Sequence, residues 1–466
     1  MIIKRKTSIT VLLSLLLVFL VALVILLRQQ ELDPATPAQD TEQETPRHAQ
    51  ESAPSVTAWG DYAISIEGSS CLDPLVERAG QARAVLLGES SHGTKEYYLW
   101  RKKISQRLIQ EKGFNFIAVE GDWPTIYLAN RYVKGIEPHA SDGHSILSQY
   151  HRWPTWMWSN EEFLGLIEWL REYNLQLPPE ERIGIYGKDI YGVMNAMEQT
   201  LAYLEKVDPD FALQARSSYD CLAQYDEDYG RYIGDVMQQR ISCKEGIEEV
   251  VEHLRAHEEQ FRPLDEEAYF SAKLNALSIA YADLHFRSSA HPGPGSWNNR
   301  VRFMRKAVDR LASHYGDDSK FIVWAHNTHV GDARATDMQR DGRFNIGQLL
   351  RQDYGEDDVF IVGFGTYTGQ VIAGRAWGEE REIMQIPRGI EGSYEAKLNS
   401  VGLPSFMLMM DEPEVRDALS SVKGHRAKGV VYNPENERGN YVPTSLSQRY
   451  DAFIFFETTH PLTPIG

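Results

Sequence analysis

Glu89 and His92 stand three residues apart between two glycines, in Leu86-Leu87-Gly88-Glu89-Ser90-Ser91-His92-Gly93-Thr94. A carboxylate that orients an imidazole, and an imidazole that takes up a proton, are the two parts of a general base. Nine residues after the histidine comes Arg101, inside the stripe formed by Tyr97, Trp100, Ile104 and Leu108. A guanidinium on a buried helix face is costly unless it is paired, so Arg101 is expected to converge with Glu89 and His92. The elements that must position them are local. Ala84–Leu87 reads as a strand, Gly88 as its end, Thr94 as a helix cap, and the helix as running from about Lys95 to Lys112. The positive end of that helix disfavours imidazolium, so His92 is expected to be held neutral.

Further apolar runs read as strands at Asn115–Val119, Ile183–Tyr186, Phe321–Ala325, Val359–Phe364 and Ala452–Phe456. Continuous apolar runs separated by helical patterns predict an α/β fold, a largely parallel sheet flanked by helices. Residues of about 207–315 contain no strand-like run. Four amphipathic stretches there (211–225, 232–261, 266–286 and 300–315) predict an inserted helical subdomain. In open parallel sheets ligands bind beyond the carboxyl ends of the strands. Five of the six strand ends carry ionisable groups there: Glu89 and His92, Glu120 and Asp122, Lys188 and Asp189, His326 and His329, and Glu457. One such residue is an ordinary helix cap; five together predict a polar catalytic cleft. His326 and His329 are positioned to donate to a leaving group or an oxyanion, and Asp189 reads as a cap or a support for its neighbours.

Several chemistries are excluded by motif. There is no G-x-S-x-G elbow, no phosphate-binding Walker loop, and His257-Glu258-Glu259-Gln260-Phe261 lacks the second histidine of a zinc helix. The formal net charge of −18 argues against nucleic acid as a partner. Cys71, Cys221 and Cys243 match no zinc spacing; Cys221 and Cys243 can bridge in an oxidising compartment or serve as small core residues. At the N-terminus, Lys4, Arg5 and Lys6 precede an uncharged, mostly apolar run over Ile9–Leu27. With no small-x-small cleavage site after it, residues 1–30 read as a cytoplasmic basic stub and an uncleaved transmembrane signal-anchor rather than a signal peptide. The positive-inside rule then places the body outside the cytoplasm, on a single-pass membrane protein. Residues 31–57, rich in Pro, Glu, Gln and Thr, read as an acidic disordered linker, and 58–466 as the catalytic domain.

The motifs assembled so far resemble the erythromycin esterase family. The resemblance rests on Gly88-Glu89-Ser90-Ser91-His92-Gly93, Arg101, Gly113-Phe114 leading to Glu120, and Tyr186-Gly187 before Asp189. It rests equally on Trp324-Ala325-His326-Asn327 with His329-Val330, and on a last strand at Tyr450–Phe455. It spans about Ala58 to Leu462. It implies hydrolysis of a lactone, with His92 as general base on water, Glu89, Arg101, Glu120 and His326 around it, and His329 as a further site residue. No cofactor is implied. The sequence departs from the family in two places: the N-terminal anchor, and Arg300-Val301 where an Arg-Asp pair is expected.

Three readings follow. The first is a hydrolase that cleaves a small-molecule ester or lactone with His92-activated water. The second is a metal-dependent hydrolase or peptidase in which Glu89, His92, Glu120 and His326 hold a divalent ion such as zinc or manganese. The third is a non-catalytic surface binding module. Trp153, Trp156 and Trp158 can line a ring-binding wall, or simply pack beside Pro154 at a helix start.

Overall fold

Buried apolar runs pair edge to edge to make the central sheet. The computed structural model describes residues 58–68, 70–136 and 142–465. The strands are β1 (Ile64–Ser65), β2 (Ala84–Leu87), β3 (Phe116–Asp122), β4 (Gly184–Asp189), β5 (Phe321–Trp324), β6 (Val359–Gly374), β7 (Arg381–Ile386), β8 (Ser405–Met409), β9 (Lys423–Arg426), β10 (Tyr441–Thr444) and β11 (Ala452–Thr459). The main sheet has the order β1-β8-β11-β6-β2-β5-β3-β4, with β7 paired to the far half of β6. β11, β6, β2, β5, β3 and β4 run parallel. β8 is antiparallel to β11, β1 to β8 and β7 to β6, while β9 and β10 form a separate ribbon.

The six runs expected as strands are the six parallel ones, and β1, β7 and β8 add antiparallel members to the sheet. β7 has one face in water and carries no continuous apolar run, with Arg381, Glu382, Ile383 and Gln385 exposed, whereas the antiparallel β8 holds the buried apolar run Phe406, Met407, Leu408 and Met409. Within the parallel block, side chains alternate between two cores. Ala84, Leu86, Phe116 and Ala118 face one, and Val85, Leu87, Ile117 and Val119 face the other. Helices must therefore cover both faces. Lys95–Lys112 forms one of them, with the bounds read from sequence, and buries Tyr97, Arg101, Ile104 and Leu108.

Between β4 and β5 the described chain is helical: Val193–Val207, Pro209–Ala223, Tyr229–Met237, Lys244–Ala256, Glu258–Phe261, Glu266–Ser289 and Gly295–Tyr315. The stretch 232–261 is several helices, not one. The backbone turns at Gln239, where φ is 55°, and Cys243 is disulfide-bonded to Cys221 at a Cα separation of 5.5 Å.

The apolar run Ile9–Leu27 and the linker 31–57 lie outside the described residues. Among those described, no helix is long and apolar enough to cross a membrane. The longest, Glu266–Ser289, carries ionisable side chains along its length, which a hydrocarbon core would not accept. The expected fold class with a transmembrane helix, the single-pass extracytoplasmic location and the membrane as partner are corrected accordingly: the structure is a mixed α/β fold with no such helix among the described residues.

Candidate active site

The turn after β2 is shaped by two close approaches. A Cβ on Gly88 would lie 2.1 Å from Asn327 Oδ1, and one on Gly93 would lie 1.9 Å from the Ile372 carbonyl oxygen. The glycines let this loop press against the β5 loop and β6 together. Gly93→Ala is therefore expected to cost about 1–3 kcal/mol by forced displacement of backbone, read as a lower denaturant midpoint at unchanged slope. Thr94 takes the N-cap position of the helix, yet its side chain makes no cap; Oγ1 bonds Ser91 Oγ instead.

Glu89 is fully buried. Its Oε1 lies 2.7 Å from His92 Nδ1, which leaves Nε2 as the free ring nitrogen. Its Oε2 lies 2.6 Å from Arg101 Nη2. That is a contact of charges rather than an aligned hydrogen bond, because the Arg101 guanidinium sits over the rings of Tyr98 (4.3 Å) and Trp324 (4.6 Å). The convergence expected of Glu89, His92 and Arg101 is present. The shift expected of His92 from the helix end is outweighed by its carboxylate neighbours. Burial opposes imidazolium, but the Glu89 hydrogen bond and the Glu120 and Glu89 charges outweigh it, so the ring lies above its ordinary pKa.

Glu120 reaches the same place from β3, whose register against β4 shifts between Val119 and Asp122; such an irregularity re-aims a side chain. Its Oε2 accepts from the His326 backbone N–H at 2.8 Å and its Oε1 from Arg300 Nη2 at 2.8 Å. Burial pushes this carboxyl up, but the His329 and His92 rings, Arg300 and Lys188 hold it well below the usual carboxylate range. β5 lies between β2 and β3, so His326 arrives beside His92, ring centroids 5.1 Å apart. His326 Nδ1 accepts from the Thr328 hydroxyl (2.8 Å) and the Thr328 backbone N–H (3.2 Å). A neutral ring accepting there carries its proton on Nε2, and that atom is buried with no hydrogen-bond partner among the described residues. Burial and the neighbouring His92 drive the ring well below its ordinary pKa, the Ser90 backbone being the weakest influence on it.

His329 is bound differently. Its Nε2 accepts from Arg300 Nη1 at 3.0 Å and the ring stacks flat on Trp297, centroids 4.5 Å apart. Burial lowers its pKa to about 3, so it is neutral at ordinary pH and its free proton is on Nδ1.

Arg300 ties these groups together. It donates from Nε to Asp189 Oδ1 (2.8 Å) and from Nη2 to Asp189 Oδ2 (2.5 Å) and Glu120 Oε1. In the sequence this residue stands out only as half of an altered pair. It carries the signal that found Arg101: a cation in the stripe of Met304, Ala307 and Leu311. Asp189 is thus an ion-pair partner of Arg300, and it also caps locally, accepting from Ile190 N–H. Lys188, just before it, is fully buried; desolvation lowers its pKa to about 8. Glu457 does not line the cleft.

The cleft these residues line holds about 360 Å³, and its other walls come from Arg152, Tyr191, Trp297 and Trp377. None of the last four carries a site motif in the sequence. Of the Trp153–Trp158 cluster, Trp156 is core, Trp158 lines the cleft and Trp153 packs on Trp377. Among the described residues, no three His, Cys, Asp or Glu side chains are grouped to hold a metal ion. The chemistry agrees with that: both Glu89 oxygens and both Glu120 oxygens already face cations or N–H donors.

The family model for erythromycin esterase matches residues 109–459, a span that holds Glu120, Asp189, Arg300, His326 and His329. The chain is 23% identical over 365 residues to erythromycin esterase type II of Escherichia coli, covering 73% of this chain and 84% of that protein. Two crystal structures share its fold. A succinoglycan biosynthesis protein, 19% identical, superposes with a TM-score of 0.71 over 89% of this chain and all of the other. A mutant erythromycin esterase in its open conformation, 16% identical, gives 0.63 over 84% of this chain and 94% of the other. The chain belongs to the erythromycin esterase family and is a hydrolase.

Proposed function

We propose that the protein hydrolyses a small-molecule carboxylic ester or lactone with a water activated by His92. The observation that carries this reading is the pairing of two neighbouring imidazoles with opposite roles. His92, anchored through Nδ1 to buried Glu89, has Nε2 free to take a proton. His326, accepting at Nδ1, has Nε2–H free to give a hydrogen bond. Water oxygen attacks the carbonyl carbon as its proton passes to His92 Nε2, and the carbonyl π pair moves onto oxygen, where His326 Nε2–H meets it. Collapse breaks the bond to the alkoxy oxygen, which takes the proton back from His92 and leaves as the alcohol. The raised His92 pKa suits this cycle, because the imidazolium that forms is stabilised by Glu89 and Glu120.

Water rather than a protein hydroxyl is favoured as nucleophile, since the nearby hydroxyls are engaged elsewhere. Ser90 Oγ bonds Tyr97 and Ser91 Oγ bonds Thr94, while Thr328 Oγ1, bonded to His326 Nδ1, is the hydroxyl that the intact-mass measurement below checks. The cleft volume sits at the small end of the roughly 300–1,000 Å³ usual for ligand sites, which favours a compact substrate.

The test is a pH-stat screen of the purified full chain against lactones, simple acyl esters and acylated glycans, with and without a chelator, alongside intact-mass measurement during turnover. At least one ester class should be hydrolysed, unchanged by chelation, with no acyl adduct on the protein. A panel left wholly untouched, dependence on added divalent metal, or an accumulating acyl-protein overturns the reading.

A further inference from the structure

Trp377 stands in the turn between β6 and β7, the turn occupying 375–380, and is 61% exposed although it lines the catalytic cleft. An exposed indole at the mouth of a polar site is an incomplete contact. It is also held in place: its ring centroid lies 4.7 Å from that of Trp153 and 5.9 Å from that of Tyr191. Trp153 Nε1 donates to the Glu379 carbonyl at 2.8 Å, pinning the turn to the neighbouring segment. A platform fixed before binding loses little entropy when a ligand covers it.

We propose that this platform is a subsite for a pyranose ring carried by the substrate. The proposal rests on the hydrolytic reading above and deepens it. The charge around the platform selects among apolar ligands. Tyr191 already lies beneath two guanidiniums, Arg152 at 5.6 Å and Arg300 at 5.1 Å from its ring centroid, so a cationic ligand would meet two like charges. A long acyl chain would need an apolar wall on all sides, and here the wall is open and rimmed by Arg152 and Thr328. A pyranose meets both conditions: one face presents C–H bonds to an aromatic ring, and its perimeter carries hydroxyls that need donors and acceptors. Arg152 supplies a donor. Its Nε is held by Asp122 Oδ2 (2.5 Å) and its Nη1 by the Trp153 carbonyl (2.6 Å), while Nη2 bonds no described residue.

The experiment compares an O-acetylated methyl pyranoside with an acyclic acetate of similar size, and separately measures binding of the unacylated methyl pyranoside to the full chain by titration calorimetry. Wild type should favour the pyranoside ester in kcat/KM. Trp377→Ala should lower that preference about tenfold or more, and Trp377→Phe should restore most of it. The same Trp377→Ala change should weaken pyranoside binding by a similar factor. An unchanged preference, or calorimetric binding that is absent in wild type or indifferent to the substitution, overturns the subsite. If neither ester nor any member of the panel above is hydrolysed but the pyranoside binds and Trp377→Ala weakens it, the subsite stands and the hydrolytic reading falls.

Discussion

His92→Gln is expected to lower kcat on a confirmed ester by about 10²–10⁴, the span a general base contributes, with little change in thermal unfolding. The side chain sits at a loop edge lining the cleft rather than in either apolar core, so its loss removes a proton acceptor more than it removes packing. Wild-type turnover in this variant would show that another group takes the proton. The pH profile gives an independent measure. A base works only when unprotonated, so kcat/KM should rise with pH through the His92 pKa, which lies above the ordinary histidine value, and level off beyond it. Glu120 is one of the charges that raise that pKa. Glu120→Gln should therefore move the acid limb toward lower pH, whatever it does to the plateau. The same shift has a stability sign. With the folded pKa above the unfolded one, His92 adds stability that is complete below about 6.5 and is lost as pH climbs through the folded value.

The second large effect is expected at Arg300. Arg300→Met leaves Glu120 and Asp189 buried side by side without their shared cation, and breaking a buried pair of this kind costs about 3–5 kcal/mol. Denaturant titration should show the loss. Adding Asp189→Asn should restore part of it, because the second change removes the charge that the first stranded. A loss under about 1 kcal/mol would mean that solvent already screens the group, as at a surface pair. Activity should fall as well, since Arg300 holds Glu120 Oε1 and His329 Nε2 in register.

The contrast between Arg101 and Arg300 shows what is legible in a sequence. Both are cations in an apolar helical stripe, and both turn out to be half-sheathed by aromatic rings and paired with a carboxylate. Arg101 is readable because its partner Glu89 lies only twelve residues upstream. The partners of Arg300, Glu120 and Asp189, lie far off in the chain, and no local pattern joins them. β2 and the helix Lys95–Lys112 were legible for the same local reason. β6 was legible only to Phe364, because its continuation through Tyr367–Gln370 is partly exposed and carries no apolar run. The upward shift of the His92 pKa has a related cause. The helix dipole is written in the local sequence, whereas Glu120 acts across the cleft from β3. Trp377 had no signal at all: a lone tryptophan in a polar turn becomes a wall only when β7 folds back.

The strand order also constrains when this protein can become active during its own synthesis. β2 carries Glu89 and His92 at its end, yet its two neighbours in the sheet are β5 and β6, both far downstream. β3 and β4 can pair with each other early, but the slot between β2 and β3 stays open until β5 emerges. Such distant pairings are slow to form, and the residues that line the cleft stay apart until they do. A chain ending before Phe321 holds Glu89, His92, Arg101, Glu120 and Arg300 but lacks His326 and His329, so the site proposed above is complete only once roughly the last third of the polypeptide is being made.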